Sequence, residues 1–179
     1  MQNCLLKIAA LLNRQGISWA LGASMLLYYK GLAAKPNDID LMIAPESAEA
    51  ADKILAALGT RQPPNPSANY ATTYIAEYVV DGVEVDVMAG FAIRHAGGCY
   101  EYRLEPVFFE TLCIGGTKIY LCPLEDWYVL YMLMPHRQAR VASLEAYFQT
   151  TEFSLPRLQF WLKEPLPPAI KERLRAFLN

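Results

Sequence analysis

Asp81-Gly82 stands between two runs, Thr73 to Val80 and Val83 to Met88, that are rich in valine, isoleucine, threonine and tyrosine. An Asp-Gly pair between such runs is a strong short-range signal for a β-hairpin with a two-residue turn. It commits the middle of the chain to an antiparallel pair, so whatever fold forms must supply a sheet around it. A second hairpin turns at Gly115-Gly116, between Leu112-Cys113-Ile114 and Lys118 to Leu121. Ile17 to Leu21 reads as a short buried strand. Asp38 to Ile43 reads as another, apolar apart from its two acids.

Helices fall between and after these strands. Leu5, Ile8, Ala9 and Leu12 repeat at helical spacing, so the first fifteen residues form an amphipathic helix ended by Gly16. Met25 to Lys30 is a short helix closed by Gly31, and Lys35-Pro36-Asn37 is a loop. Ser47 is placed to cap a helix with Glu49 and Asp52 in its first turn. The inner stripe of that helix is Ala51, Ile54, Leu55 and Leu58. Arg61 to Ala71, with three prolines, is a loop, and Ala89 to Tyr100 shows no clear period. Pro123 suits a first helical position, and Pro135 breaks the helix it starts. Ala139 to Phe148 forms a further helix, and two more follow, split by Pro165 to Pro168. The expected architecture is α+β: a small mixed sheet flanked by helices, with a C-terminal helical region. The expected division is an α+β domain over residues 1–122, with the helices of 123–179 packed on it.

Composition narrows the function classes. A hydrophobic share of 54% supports a real core, so the chain folds rather than staying disordered. A net charge of −2 provides no basic field for a nucleic-acid backbone. No apolar run approaches the ~20 residues that span a bilayer, and Lys7 interrupts the N-terminal apolar stretch without a basic leader. Together these point to the cytoplasm. The four cysteines form no C-x-x-C pair, and the two histidines stand at no zinc spacing. The cysteines are therefore read as reduced and mostly packing residues.

The chemistry concentrates in a few acids. Alternation along a strand puts Asp38 and Asp40 on one side, about 6.6–6.8 Å apart. Two carboxylates on one face of a buried strand are costly unless a positive group joins them. Mg²⁺ fits, because it takes hard oxygen ligands from one or two carboxylates plus substrate phosphates. Asp86, on the second hairpin strand, shares a face with Glu84 and Met88. If that strand lies beside the Asp38 strand, three carboxylates converge, as a two-metal phosphoryl-transfer site requires. Gly22-Ala23-Ser24 follows a strand and opens a helix, whose free N–H groups suit phosphate. Glycine there lets the backbone approach closely, and the Ser24 hydroxyl can donate to a phosphate oxygen. Each part also has a plain reading: solvated acids at a strand end, a capped turn, an edge-strand aspartate.

The combination resembles the nucleotidyltransferase superfamily, which shares the polymerase-beta-like palm. It reads LGASMLLYYKGLAAKPNDIDLMI and then VEVDVM, spanning about Trp19 to Met88 and continuing more weakly to about Phe148. It is most similar to the small bacterial antibiotic-type and toxin–antitoxin-type members. The resemblance implies Asp38 and Asp40 as metal ligands, Asp86 as the third acid, and Gly22, Ala23 and Ser24 as the phosphate cradle. It further implies Mg²⁺, with two ions, an NTP as substrate, and a hydroxyl acceptor on a small molecule or protein. Four departures bear on nucleotide handling and acceptor choice. Ala23 replaces a second glycine, and Ala34, Lys35, Pro36 and Asn37 stand where an Arg and a Thr are usual before D-x-D. Tyr131 stands where a lysine is usual, and Ala139 to Glu145 lacks a Lys-Asp pair, so that Arg137 and Arg140 are the cations that survive. Two rivals follow: a catalytically degenerate relative that binds a nucleotide or partner protein, and a nucleotide-sugar glycosyltransferase, which also uses D-x-D.

Further residues are open to two readings each. Arg137 can clamp a triphosphate or sit at a solvated helix end. Glu84 can be a fourth ligand or a solvated strand residue. Arg94 and His95 can touch phosphate or form an exposed loop pair. Tyr70, Tyr74, Tyr78, Tyr100 and Tyr102 can line an acceptor pocket or pack the sheet. Trp127, Tyr128 and Tyr131 read as core.

Overall fold

A computed structural model describes residues 1–65 and 67–178. Its strands are β1 (Trp19–Leu21), β2 (Ile39–Ile43), β3 (Thr60–Arg61), β4 (Tyr74–Val80), β5 (Val83–Ala89), β6 (Ala92–His95), β7 (Gly98–Glu101), β8 (Glu110–Ile114) and β9 (Thr117–Leu121). Its helices are α1 (Gln2–Arg14), α2 (Ala23–Tyr29), α3 (Ala48–Leu58), α4 (Leu124–Leu133), α5 (Gln138–Phe148), α6 (Leu155–Lys163) and α7 (Pro168–Arg175). Seven strands form one sheet in the order β3-β4-β5-β2-β1-β9-β8, while β6 and β7 pair separately. The β2–β5 and β1–β9 pairs are parallel and the others antiparallel, so the architecture is the α+β, mixed-sheet one expected.

The sheet is built around β2, whose five residues are all buried. A strand covered on both faces is mostly apolar, as Ile39, Leu41, Met42 and Ile43 are, and Asp40 is the exception. Helices α1 and α3 pack on each other; α1 also packs on β9, and α3 on β4 and β5. The stripe of α1 is fully buried at Leu5, Ile8, Ala9 and Leu12. Tyr78 on β4 donates to Asp52 of α3, as does Tyr74. On β5, Val85 and Val87 are fully buried, which leaves Asp86 on the opposite face. Helix α4 crosses that second side, packing on α2, α5, α6 and β6.

A buried ion pair fastens the C-terminal helices. Arg157 of α6 and Asp126 of α4 are each 1% exposed and meet at 2.6 Å. Asp126 also accepts from Tyr102 (2.7 Å) and from the Trp161 indole (2.7 Å). The Arg157 guanidinium lies over the rings of Phe108 and Phe160 at 4.4 and 4.3 Å and reaches Glu105 at 2.7 Å. Every polar group in this junction finds a partner, the condition under which buried charge is tolerated.

Several local expectations need correcting. Ala89 to Tyr100, read as unpatterned, contains most of the β6–β7 hairpin, and Thr60–Arg61 pairs with β4 as a short edge strand. The Ser47 side chain caps nothing, because a 3-10 turn over Pro45–Ser47 leads into α3. Asp52 faces the two tyrosines instead of serving the helix start. Pro123 is the residue before α4 rather than its first. Cys4 and Cys122 are buried, Cys99 and Cys113 are exposed, and all four are free. Among the described residues no helix is long and apolar enough to cross a membrane.

Candidate metal centre and its cleft

The sheet register assembles the acids. Asp40 on β2 pairs with Asp86 on β5, so the two side chains stand on one face of adjacent parallel strands. Asp38 immediately precedes β2 and reaches the same point. One carboxylate oxygen from each of Asp38, Asp40 and Asp86 lies within 4.8 Å of the others. Across the β4–β5 hairpin, Asp86 pairs in turn with Glu77, which makes a row of three carboxylates over three neighbouring strands.

Electrostatics at the cluster follow from burial and like charge. Asp40 is 9% exposed, and its Oδ2 has no hydrogen-bond partner among the described residues. Desolvation, then the charges of Asp38 and Asp86, push its carboxyl well above the ordinary range. Asp86 is pushed up to about 6 by burial, then by Glu77, Asp38 and Glu84. A group of acids that repel one another, one with an orphaned buried oxygen, is an arrangement a cation completes.

The turn before α2 borders the cluster. Gly22 is extended at φ −116°, and a Cβ there would lie 2.1 Å from Cζ2 of Trp127 on α4. What requires glycine is thus the indole packed against it, where the sequence suggested a phosphate. Ala23 takes a positive φ of 39°, the region a second glycine would occupy without strain. The Ser24 hydroxyl donates to Asp38 Oδ1 at 2.9 Å and accepts the Asn37 N–H at 3.2 Å.

A cleft of about 270 Å³ opens over the carboxylates. One wall is aromatic, with Tyr70, Phe91, Trp127 and Tyr131 in a chain of ring contacts 5.3 to 6.3 Å apart. Arg137 and Arg140, at the start of α5, form another wall, and Glu77 lies on the strand side. Among the described residues neither arginine makes an ion pair. Burial, then Asp40, raises the Tyr131 phenol; the two arginines oppose the shift. A larger hollow of about 790 Å³ lies among Tyr128, Phe148, Phe153 and Phe177, away from the three aspartates.

Other candidates fall outside the cleft. Glu84 is exposed and pairs with Val79. Arg94 donates to the Tyr70 carbonyl, and His95 Nδ1 accepts the Gly97 N–H. Tyr74 and Tyr78 bind Asp52, Tyr102 binds Asp126, Tyr100 is buried, and Tyr128 donates to Glu145. Glu77 is a cleft residue that sequence reasoning missed. Hairpin parity could have found it, since a two-residue turn sets Glu77 opposite Asp86. Arg140 lies one helical turn beyond Arg137.

No family model matches the sequence, and a search of curated proteins finds no match. Solved structures do match. A candidate nucleotidyltransferase from Thermotoga maritima superposes with a TM-score of 0.63 at 21% identity, over 83% of this chain and 90% of that one. The antibiotic-resistance enzyme ANT(2")-Ia, in complex with adenylyl-2"-tobramycin, gives 0.56 at 12% identity over 100% of both chains. The lincosamide antibiotic adenylyltransferase LnuA, with lincomycin bound, gives 0.55 at 13% identity over 81% of this chain and 96% of that one. The chain has the nucleotidyltransferase fold.

Proposed function

We propose that this protein is a Mg²⁺-dependent nucleotidyltransferase that moves a nucleoside monophosphate from an NTP to a hydroxyl of a small molecule or protein. The observation that carries the reading is the buried, unpartnered Oδ2 of Asp40 in the middle of three converging carboxylates. The donor set is all carboxylate oxygen, which suits Mg²⁺. Asp38 and Asp40 would hold the ions and Asp86 would share the catalytic one. When bound, the ions neutralise phosphate charge and lower the acceptor hydroxyl's pKa.

The protein's own groups supply the rest. Asp86 takes the proton as the acceptor oxygen bonds to the α-phosphorus and the α–β phosphoanhydride bond breaks. Pyrophosphate leaves toward Arg137 and Arg140, whose positive charge at the start of a helix is otherwise unfavourable. The aromatic wall excludes water and gives a base or acceptor ring a face to stack on. One observation favours the degenerate relative: Tyr131, a buried neutral phenol, stands beside Asp40 where the family's cation is usual. Calorimetry separates the two. Tighter NTP binding with Mg²⁺ than with chelator, and transfer of α-labelled NTP to a lysate component, support the enzyme. Mg²⁺-independent NTP binding without label transfer supports the relative, and no binding of any NTP defeats both.

A further inference from the structure

Ser24 makes contacts that the reading above leaves unused. Its hydroxyl carries one proton, and that proton goes to Asp38 Oδ1 at 2.9 Å; the Asp38 carbonyl is farther off at 3.3 Å. Its oxygen accepts the Asn37 backbone N–H at 3.2 Å. Asp40, two residues beyond Asp38, lines the same cleft. The side chain is 6% exposed, so it offers little surface to an incoming ligand. A single hydroxyl therefore joins the first acid of the D-x-D pair to the chain just before it.

We infer that Ser24 is a positioning residue for the Asp38 carboxylate, and that it does not donate to substrate phosphate. The inference rests on the metal-site reading and assigns within it. The hydroxyl fixes the rotamer of Asp38. The Asn37 bond ties the entry to β2 onto the same oxygen. A carboxylate oriented in advance loses less freedom when it takes a cation, so removing such a support typically weakens metal binding 10–100-fold. Phosphate contact is left to Arg137 and Arg140, the cleft cations that have no acidic partner among the described residues.

The test is Mn²⁺ binding without nucleotide, followed by electron paramagnetic resonance on wild type, Ser24→Ala, Ser24→Thr, Asp38→Asn and the double variant Ser24→Ala/Asp38→Asn. Circular dichroism verifies that each is folded. Ser24→Ala should weaken Mn²⁺ by 10-fold or more, and Ser24→Thr, which keeps the hydroxyl, should recover part of the loss. In the Asp38→Asn background, Ser24→Ala should have little further effect, because its hydroxyl no longer has a metal ligand to orient. Should Ser24→Ala fail to fold, Ser24→Thr against Asp38→Asn still decides: Mn²⁺ affinity as low as in Asp38→Asn, despite the hydroxyl, overturns the inference. Equal Mn²⁺ affinity in wild type and Ser24→Ala, with weakened Mg²⁺-NTP binding only, returns Ser24 to the phosphate and overturns it. A wild type that binds no Mn²⁺ removes the metal-site reading itself, and the inference with it.

Discussion

Gly22→Ala isolates one contact. The backbone there is extended, at φ −116° and ψ −167°, where alanine is comfortable. Conformation alone would make the substitution stabilising by about 0.4–1 kcal/mol, through the unfolded chain. Packing acts the other way. The new methyl would sit 2.1 Å from Trp127 Cζ2, whereas carbon atoms in contact need about 3.5–4.0 Å. The indole is 2% exposed and is backed by Phe91 and Tyr131, so its retreat displaces the aromatic wall of the cleft. Overpacking costs about 1–3 kcal/mol, and an overlap this deep belongs at the upper end. The expected net loss is about 2 kcal/mol, read from urea midpoints at constant m. Trp127→Phe removes the six-membered ring that collides. In that background Gly22→Ala should cost less than about 1 kcal/mol, a coupling of the size that contacting residues show. The same loss in both backgrounds, or no loss in wild type, would refute the steric account of Gly22.

Asp40→Asn should leave the metal-free protein as stable as wild type or more so, because it relieves repulsion, while abolishing stabilisation by Mg²⁺-NTP; a loss above about 2 kcal/mol in chelator would make Asp40 a structural residue. Asp40 is held well above the ordinary carboxylate range and Asp86 at about 6, so the folded state binds more protons than the unfolded between about pH 4 and 6. These acids therefore favour folding most at low pH, and that contribution is lost as pH rises through 6. Urea melts at pH 5 and 7.5 should show the loss in chelator and not in Mg²⁺, and a loss of equal size in Asp86→Asn would count against it. Arg157→Met strands Asp126 in the core and should cost about 3–5 kcal/mol, part of which Asp126→Leu should restore in the double variant. Ala23→Gly releases a left-handed residue, a strain of about 1–2 kcal/mol, and loses part of that to unfolded-chain entropy. A net gain of about 0.5 kcal/mol in thermal and urea melts is expected, and destabilisation would contradict the strain.

The features legible in the sequence were those that local rules govern. Asp81-Gly82 set its hairpin, and face parity set Asp40 and Asp86 on compatible sides. The stripe of Leu5, Ile8, Ala9 and Leu12 gave α1 its buried face. What escaped is what spacing and local pattern do not reveal. The β6–β7 hairpin hides its alternation because two of its residues, Arg94 and His95, look like loop residues; Ile93 and Tyr100 are its buried pair. Gly22 offers no local hint that Trp127, about a hundred residues away, is what requires it. The Ser24 hydroxyl looked free for a ligand because its distance from Asp38 cannot be read from spacing.

The pairing of Leu21 with Leu121 has a consequence for how the molecule is made. In chain order β2 follows β1 closely, whereas β9, the partner of β1's other edge, comes about a hundred residues later. The three aspartates likewise precede α4 and α5, which bring the indole and the arginines that wall them in. A nascent chain at that stage carries an open strand edge beside a knot of negative charge, and the charge discourages neighbouring chains from docking on that edge. The repulsion that prepares the finished cleft for a cation would, on this view, first serve as a guard during birth.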